Sequence, residues 1–220
     1  MLNTDPTAMN QTLRNIVNNR SFWSSVECLV NILEPAKNAV KCVEYVSTTM
    51  ADVFLALIQM AAAIKALPTE ESEELREFRR KCIQFYNNRW NQFDFELYLL
   101  AYFLHPKYRG KGLVAETYQI VQRKALMIWK KIGGGSKTAL TLAIQMNNYD
   151  AFKSPYNFPY VADLQTPQSW WLGCRQSQHY LQELALYILS IVPHSASCER
   201  VFSVLSWFTQ KRRSRYAYIV

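Results

Sequence analysis

The run Phe93-Asp94-Phe95-Glu96-Leu97-Tyr98-Leu99-Leu100-Ala101-Tyr102-Phe103-Leu104 limits the possible folds more than any other stretch of the chain. After Glu96 it is apolar at every position. As a helix it is therefore hydrophobic on all sides and has to be covered on all sides by other elements. Half of the 220 residues are hydrophobic, enough to surround such a helix with a core of the chain's own. The covering elements are expected to be helices as well. Glycine occurs only six times, while Leu, Ala, Gln and the helix-favouring charged residues are common, so the predicted class is all-α.

Periodicity and breakers divide the chain. A polar leader occupies residues 1–20. Ser21 is placed to cap a helix with Trp23, Val26, Val30 and Leu33 on one face, which Pro35 breaks or kinks. Further helices are predicted over about 36–45 and 49–66, the latter stopped by Pro68. Thr69 and the acids after it read as a cap and first turn, and Glu77 is spaced to pair with Lys81. The central apolar helix ends at Pro106 in a basic loop, His105-Pro106-Lys107-Tyr108-Arg109-Gly110-Lys111-Gly112. Helices follow over about 114–132, closed by Gly133-Gly134-Gly135, and about 137–152.

Residues 154–166 hold two prolines and no helical period, so they read as an extended connector. The main boundary is placed there, with a helical domain over 21–153 before it, a second block over 167–216 after it, and a tail over 217–220. Pro167 opens a short helix bearing Trp170 and Trp171. A helix over about 177–191 carries the stripe Leu181, Leu184, Ala185, Ile188 and Leu189. After a Pro-His-Ser turn, a last helix runs over about 197–208, with Ser197 as cap and Glu199 in its first turn.

Several function classes find no support. Cys28, Cys42, Cys82, Cys174 and Cys198 form no CxxC pair and are odd in number, so they read as reduced, mostly buried thiols of a cytosolic or nuclear protein. The N-terminus lacks a basic segment followed by an apolar run, and no secretory signal is expected. The most apolar window, 53–67, carries Gln59 and Lys65 and is shorter than the roughly 18 residues of a membrane span. Gly110-Lys111-Gly112 follows a helix and lacks the phosphate-loop spacing, and the three glycines at 133–135 lack the strand of a dinucleotide fold. His105, His179 and His194 are isolated from metal-ligand partners, and His194-Ser195 has no nucleophile elbow. Adjacent tryptophans at 170 and 171 read as packing groups rather than base-stacking platforms. No small-molecule substrate is indicated.

Charge points elsewhere. The formal net charge is +8, and Arg200, Lys211, Arg212, Arg213 and Arg215 put five cations and no acid between residues 200 and 220. Such a cluster contacts nucleic-acid phosphates, directs nuclear import, or is simply solvated.

The stretch from Leu184 to Tyr216 carries a specific pattern. It includes Leu184-Ala185, Ile188-Leu189-Ser190-Ile191, Pro193-His194-Ser195-Ala196-Ser197, Glu199-Arg200-Val201-Phe202-Ser203 and Lys211-Arg212-Arg213-Ser214-Arg215. It closely resembles the C-terminal dimerisation region of hAT-type DNA transposases. Phe22-Trp23, Leu33-Glu34-Pro35 and Ala101 through Tyr108 are similar to the helical region preceding it in that family, where Asp or Asn is more usual at the position of His105.

The resemblance implies a helical insertion plus the closing helices of a ribonuclease-H-like fold, without its β-sheet. In that family three carboxylates hold divalent ions, Mg or Mn, for strand cleavage and transfer. Glu199 matches the last of the three. The other two are expected on strands before this chain begins, since Asp94, Asp150 and Asp163 lie in no strand pattern. The chain is thus expected to be a C-terminal part, catalytically incomplete alone, with no cofactor of its own and no zinc finger. It is expected to act in the nucleus as a homodimer through Leu181, Leu184, Ile188, Val201, Phe202 and Leu205. The alternative is a non-catalytic nucleic-acid binder using Arg200, Lys211, Arg212, Arg213 and Arg215.

Overall fold

In the computed structural model, which describes residues 10–45, 47–66 and 73–209, every regular element is a helix and the chain is all-α, as its composition predicts. The elements are α1 (Gln11–Val17), α2 (Arg20–Val43), α3 (Met50–Ala66), α4 (Glu73–Trp90), α5 (Phe95–Leu104), α6 (Thr117–Lys131), α7 (Ser136–Asp150), α8 (Pro167–Gly173), α9 (Tyr180–Leu189) and α10 (Ala196–Thr209). Among the described residues there is no strand.

Local chemistry sets most of the helix ends. Asn19, not Ser21, starts α2, its side-chain oxygen accepting the N–H groups of Ser21 and Phe22 at 2.9 and 3.4 Å. Pro35 does not end this helix, which corrects the predicted break. Pro35 lacks only the N–H that would have reached the carbonyl of Asn31, an exposed residue, so that carbonyl is not sealed from water. Thr49 and Asp52 form a reciprocal cap on α3. The Thr49 N–H donates to Asp52 Oδ2 at 2.8 Å, and the Asp52 N–H donates to Thr49 Oγ1 at 3.4 Å. Pro167 occupies the first turn of α8, as predicted, and Thr166 and Ser169 cap each other there, which the sequence reading did not include. The predicted cap at Thr69 lies outside the described residues. The Glu77–Lys81 pair forms at 3.6 Å, and Arg80 reaches the same carboxylate at 2.7 Å.

The apolar run at 99–104 is buried at every position, so α5 is the axis of the molecule. It packs against α3, α6 and α9; α7 packs on α6 and α9, and α8 on α9. Burying a side chain of the size of Leu100, Leu104 or Met146 contributes roughly 1.5–3 kcal/mol. Turns between these helices depend on two specific glycines. Gly133 has φ 101°, the left-handed conformation that follows a helix end, and a Cβ on Gly134 would run into the Trp129 indole.

The connector does not separate two domains, which corrects the predicted boundary. Tyr156 within it is fully buried, and residues from both sides share one cluster, with Leu104, Leu142 and Tyr149 against Trp171, Leu181 and Leu184. Polar links cross it as well. The Trp171 indole N–H donates to the Leu104 carbonyl at 2.8 Å, and the Tyr149 hydroxyl donates to the same oxygen at 3.3 Å. That carbonyl ends α5 and has no partner within its own helix, so α7 and α8 supply what α5 lacks. Gln145 of α7 likewise accepts the Leu181 N–H at 2.9 Å and donates to the Gln178 carbonyl at 2.8 Å, completing the start of α9. Trp170 and Trp171 are both buried, edge to face at 5.2 Å.

Candidate functional site

The six residues expected to form one association surface fall into two groups. Leu181, Leu184 and Ile188 on α9 point into the core; Leu184 is 0 % exposed. They are removed from the candidate surface because α5 and α7 already cover them. Val201, Phe202 and Leu205 on α10 are exposed, Phe202 at 67 %. Val204 extends the same apolar face. Among the described residues no helix packs broadly on α10.

Two hydrogen bonds fix the root of α10. Arg200 donates to the Glu44 carbonyl at 3.1 Å, and His194 Nε2 lies 3.1 Å from the Tyr45 carbonyl oxygen. Both partners sit just past the end of α2, where exposed carbonyls and the helix dipole attract a cation. Arg200 therefore has a structural partner, which the sequence did not indicate. Lys211, Arg212, Arg213 and Arg215 lie outside the described residues.

Glu199 sits in the first turn of α10, exposed, and accepts the Ser195 hydroxyl at 2.6 Å. The backbone N–H of Glu199 bonds the Ser195 carbonyl at 3.0 Å, so Ser195 rather than Ser197 closes this turn. Among the described residues no group of three or more His, Cys, Asp or Glu side chains comes together as a metal site. A hard divalent ion is held by several oxygen ligands, and a single exposed carboxylate does not fit that requirement.

A polar cluster that the sequence reading missed lies where α2, α3 and the basic loop meet. The Tyr108 hydroxyl donates to Asp52 Oδ1 at 2.5 Å, and the Thr49 hydroxyl donates to Asp52 Oδ2 at 2.7 Å. Burial alone would raise the Asp52 carboxyl, but these bonds outweigh it and hold the group below its ordinary range. Burial, reinforced by the bond to Asp52, pushes the Tyr108 phenol well up. His105, 4 % exposed, is lowered to about 4 by burial, against the pull of Asp52. Its Nδ1 accepts the Lys107 N–H at 3.2 Å. Asp52 and Tyr108 border a cleft of 370 Å³ between α2 and α3, which Glu34, Asn38 and Gln59 also line. Three hydrogen bonds already engage both oxygens of Asp52, so the cluster reads as the joint between loop and helices.

The same loop builds a second pocket, of 270 Å³, with Lys107, Arg109, Lys111, Phe152, Phe158 and Tyr160 among its walls. Arg109 donates to the carbonyls of Tyr156, at 2.8 Å, and Tyr149. Its guanidinium lies over the Tyr149 ring at 4.1 Å and the Phe152 ring at 3.8 Å. Arg109 and Phe152 both have positive φ, 47° and 53°. Phe152 occupies the left-handed position that ends α7, with its N–H on the Tyr149 carbonyl and the Lys153 N–H on Asn148. Glycine is usual there, and a bulky residue costs on the order of 1–2 kcal/mol. The basic run 107–111 was visible in the sequence; the aromatic wall, from residues some forty positions later, was not.

No protein-family model matches the chain, and no curated protein matches it. No described helix is long and apolar enough to cross a membrane.

Proposed function

We propose that this chain is a self-associating module that forms a homodimer through the apolar face of α10, in the manner of the C-terminal region of hAT-type transposases, and that it does not cleave DNA by itself. One observation carries the reading. Val201, Phe202 and Leu205 stand exposed on a helix whose described hydrogen bonds to the body lie at its root, so among the described residues this apolar face has no cover. Exposed apolar patches of this kind mark association sites, and a two-fold pair of identical helices is the simplest way to cover one. The sequence resemblance supports the same assignment and places Glu199 as the last of three carboxylates. The other two acids, and the Mg or Mn ions they would help hold, belong to strands that the described residues do not contain. Nuclear localisation belongs to the same proposal.

Size-exclusion chromatography with light scattering tests it. A dimer should persist across micromolar concentrations, and a monomer throughout that range removes the reading. Incubation with labelled DNA ends and Mg or Mn should give no product, whereas Glu199-dependent cleavage would show a complete catalytic site.

The five cations between residues 200 and 220 favour a second reading, in which the chain is a non-catalytic nucleic-acid binder. Binding to duplex DNA should then weaken with salt and on neutralising Arg212 and Arg213. No binding at low salt rejects it.

A further inference from the structure

The pocket between the 105–112 loop and the segment after α7 combines features with no part in self-association. Lys107, Arg109 and Lys111 line it, and no acidic residue does. None of the ion pairs among the described residues uses any of the three. Arg109 donates to backbone carbonyls and lies over aromatic rings, neither of which cancels its charge, and its Nε is buried without a partner. Asp150 is near enough to act on Arg109 but pairs with none of the three cations, so positive charge predominates at a concave, partly water-excluded place, where an anion gains most.

The opposite wall is aromatic. Phe152, Phe158 and Tyr160 also line the pocket, and Phe152 is 56 % exposed although it lies stacked on the Arg109 guanidinium. A phenylalanine in a left-handed helix end is not chosen for backbone economy, since glycine would relieve the strain. What the strained position holds in place is a flat, half-exposed ring that lines the pocket and is backed by Arg109. A planar ligand ring can stack on its open side. The volume is close to the low end of ligand pockets, roughly 300 Å³, and suits one monomer unit rather than a duplex.

We propose that this pocket binds a nucleotide, its phosphate held by Lys107 and Lys111 and its base stacked on Phe152. The ligand is either a free nucleoside phosphate or one nucleotide at the accessible end of a single strand. Acidic side chains of a peptide would satisfy the lysines but leave the Phe152 face unused. The proposal is independent of α10 and of the oligomeric state.

Isothermal titration of the full chain tests it with the four nucleoside 5′-monophosphates, the four nucleosides, inorganic phosphate and a single-stranded ten-nucleotide DNA. At least one monophosphate should bind ten-fold or more tightly than its nucleoside and than phosphate, with affinity falling as salt rises. Lys107→Gln combined with Lys111→Gln should weaken binding at least ten-fold. Both side chains are exposed, so the melting temperature should hold. Phe152→Gly removes the ring while suiting the backbone, and should weaken binding by about 5- to 100-fold with the fold retained. If the oligonucleotide binds more than ten-fold tighter than any monophosphate, and loses that advantage in the lysine variant, a strand end is the source; the reverse order identifies the free nucleotide. The proposal fails if no monophosphate exceeds phosphate alone, if nothing binds at millimolar concentration, or if the variants bind like the parent chain.

Discussion

His105 shows how one buried side chain ties stability to pH. In an unfolded chain it takes up a proton near its ordinary value of 6.5, whereas the folded chain resists protonation until about pH 4. Between these values the unfolded state binds more protons, so stability is full above about pH 6.5 and declines as pH falls towards 4. The loss is up to about 3 kcal/mol. Urea midpoints at pH 7.5 and 5 should differ in the parent chain, and His105→Gln should show a clearly smaller difference. An equal pH dependence in the two proteins would mean that other groups carry it. Trp171 makes a second prediction at this scale. Trp171→Phe keeps most of the apolar volume but withdraws the N–H from Leu104, leaving its carbonyl the weaker 3.3 Å bond from Tyr149. The expected cost is about 1–3 kcal/mol in denaturant unfolding, with a cavity added to the lost bond.

At the scale of elements, α9 and α10 separate two roles that their sequences present alike. Both carry apolar residues at helical spacing, and periodicity alone states that a face is apolar without stating what covers it. In α9 the cover is supplied by α5 and α7; α10 lies beyond them. Leu184→Asp should therefore abolish cooperative folding, whereas Phe202→Asp or Leu205→Asp should leave the melting temperature of a monomer intact and dissociate the dimer. Loss of folding in the α10 variants would place that helix in a core. The same distinction explains what was legible in the chain. The buried axis α5, the start of α8 at Pro167 and the helices either side of Gly133 depend on near neighbours in sequence, and these could be read. Pro35 inside α2 could not, because whether a lost hydrogen bond ends a helix depends on the exposure of the carbonyl it leaves. The Asp52–Tyr108 bond and the Phe152 stack on Arg109 join positions more than forty apart, a distance over which composition and spacing say nothing.

For the whole molecule, the decisive feature is that one core spans the connector. Phe103 and Leu104 meet Tyr149, Tyr149 meets Trp170 and Trp171, and α9 completes the layer around α5. A fragment ending at residue 153 would expose the sides of α5 and α7 that α8 and α9 now cover, and would leave the Leu104 carbonyl without its indole donor. It would also lose Tyr156, whose carbonyl holds Arg109, and with it one wall of the nucleotide pocket. Residues 10–153 alone should therefore show no cooperative thermal transition, while the full chain should unfold in one step, with tryptophan fluorescence and helical circular dichroism changing together. If the fragment melted sharply near the temperature of the full chain, residues 154–166 would be a true domain linker and the single core would be wrong. Non-coincident transitions in the full chain would point the same way. Because α10 hangs from the end of α2 rather than from this core, the one-step transition should survive the Phe202→Asp substitution, so that folding and self-association can be measured as separate events on one protein.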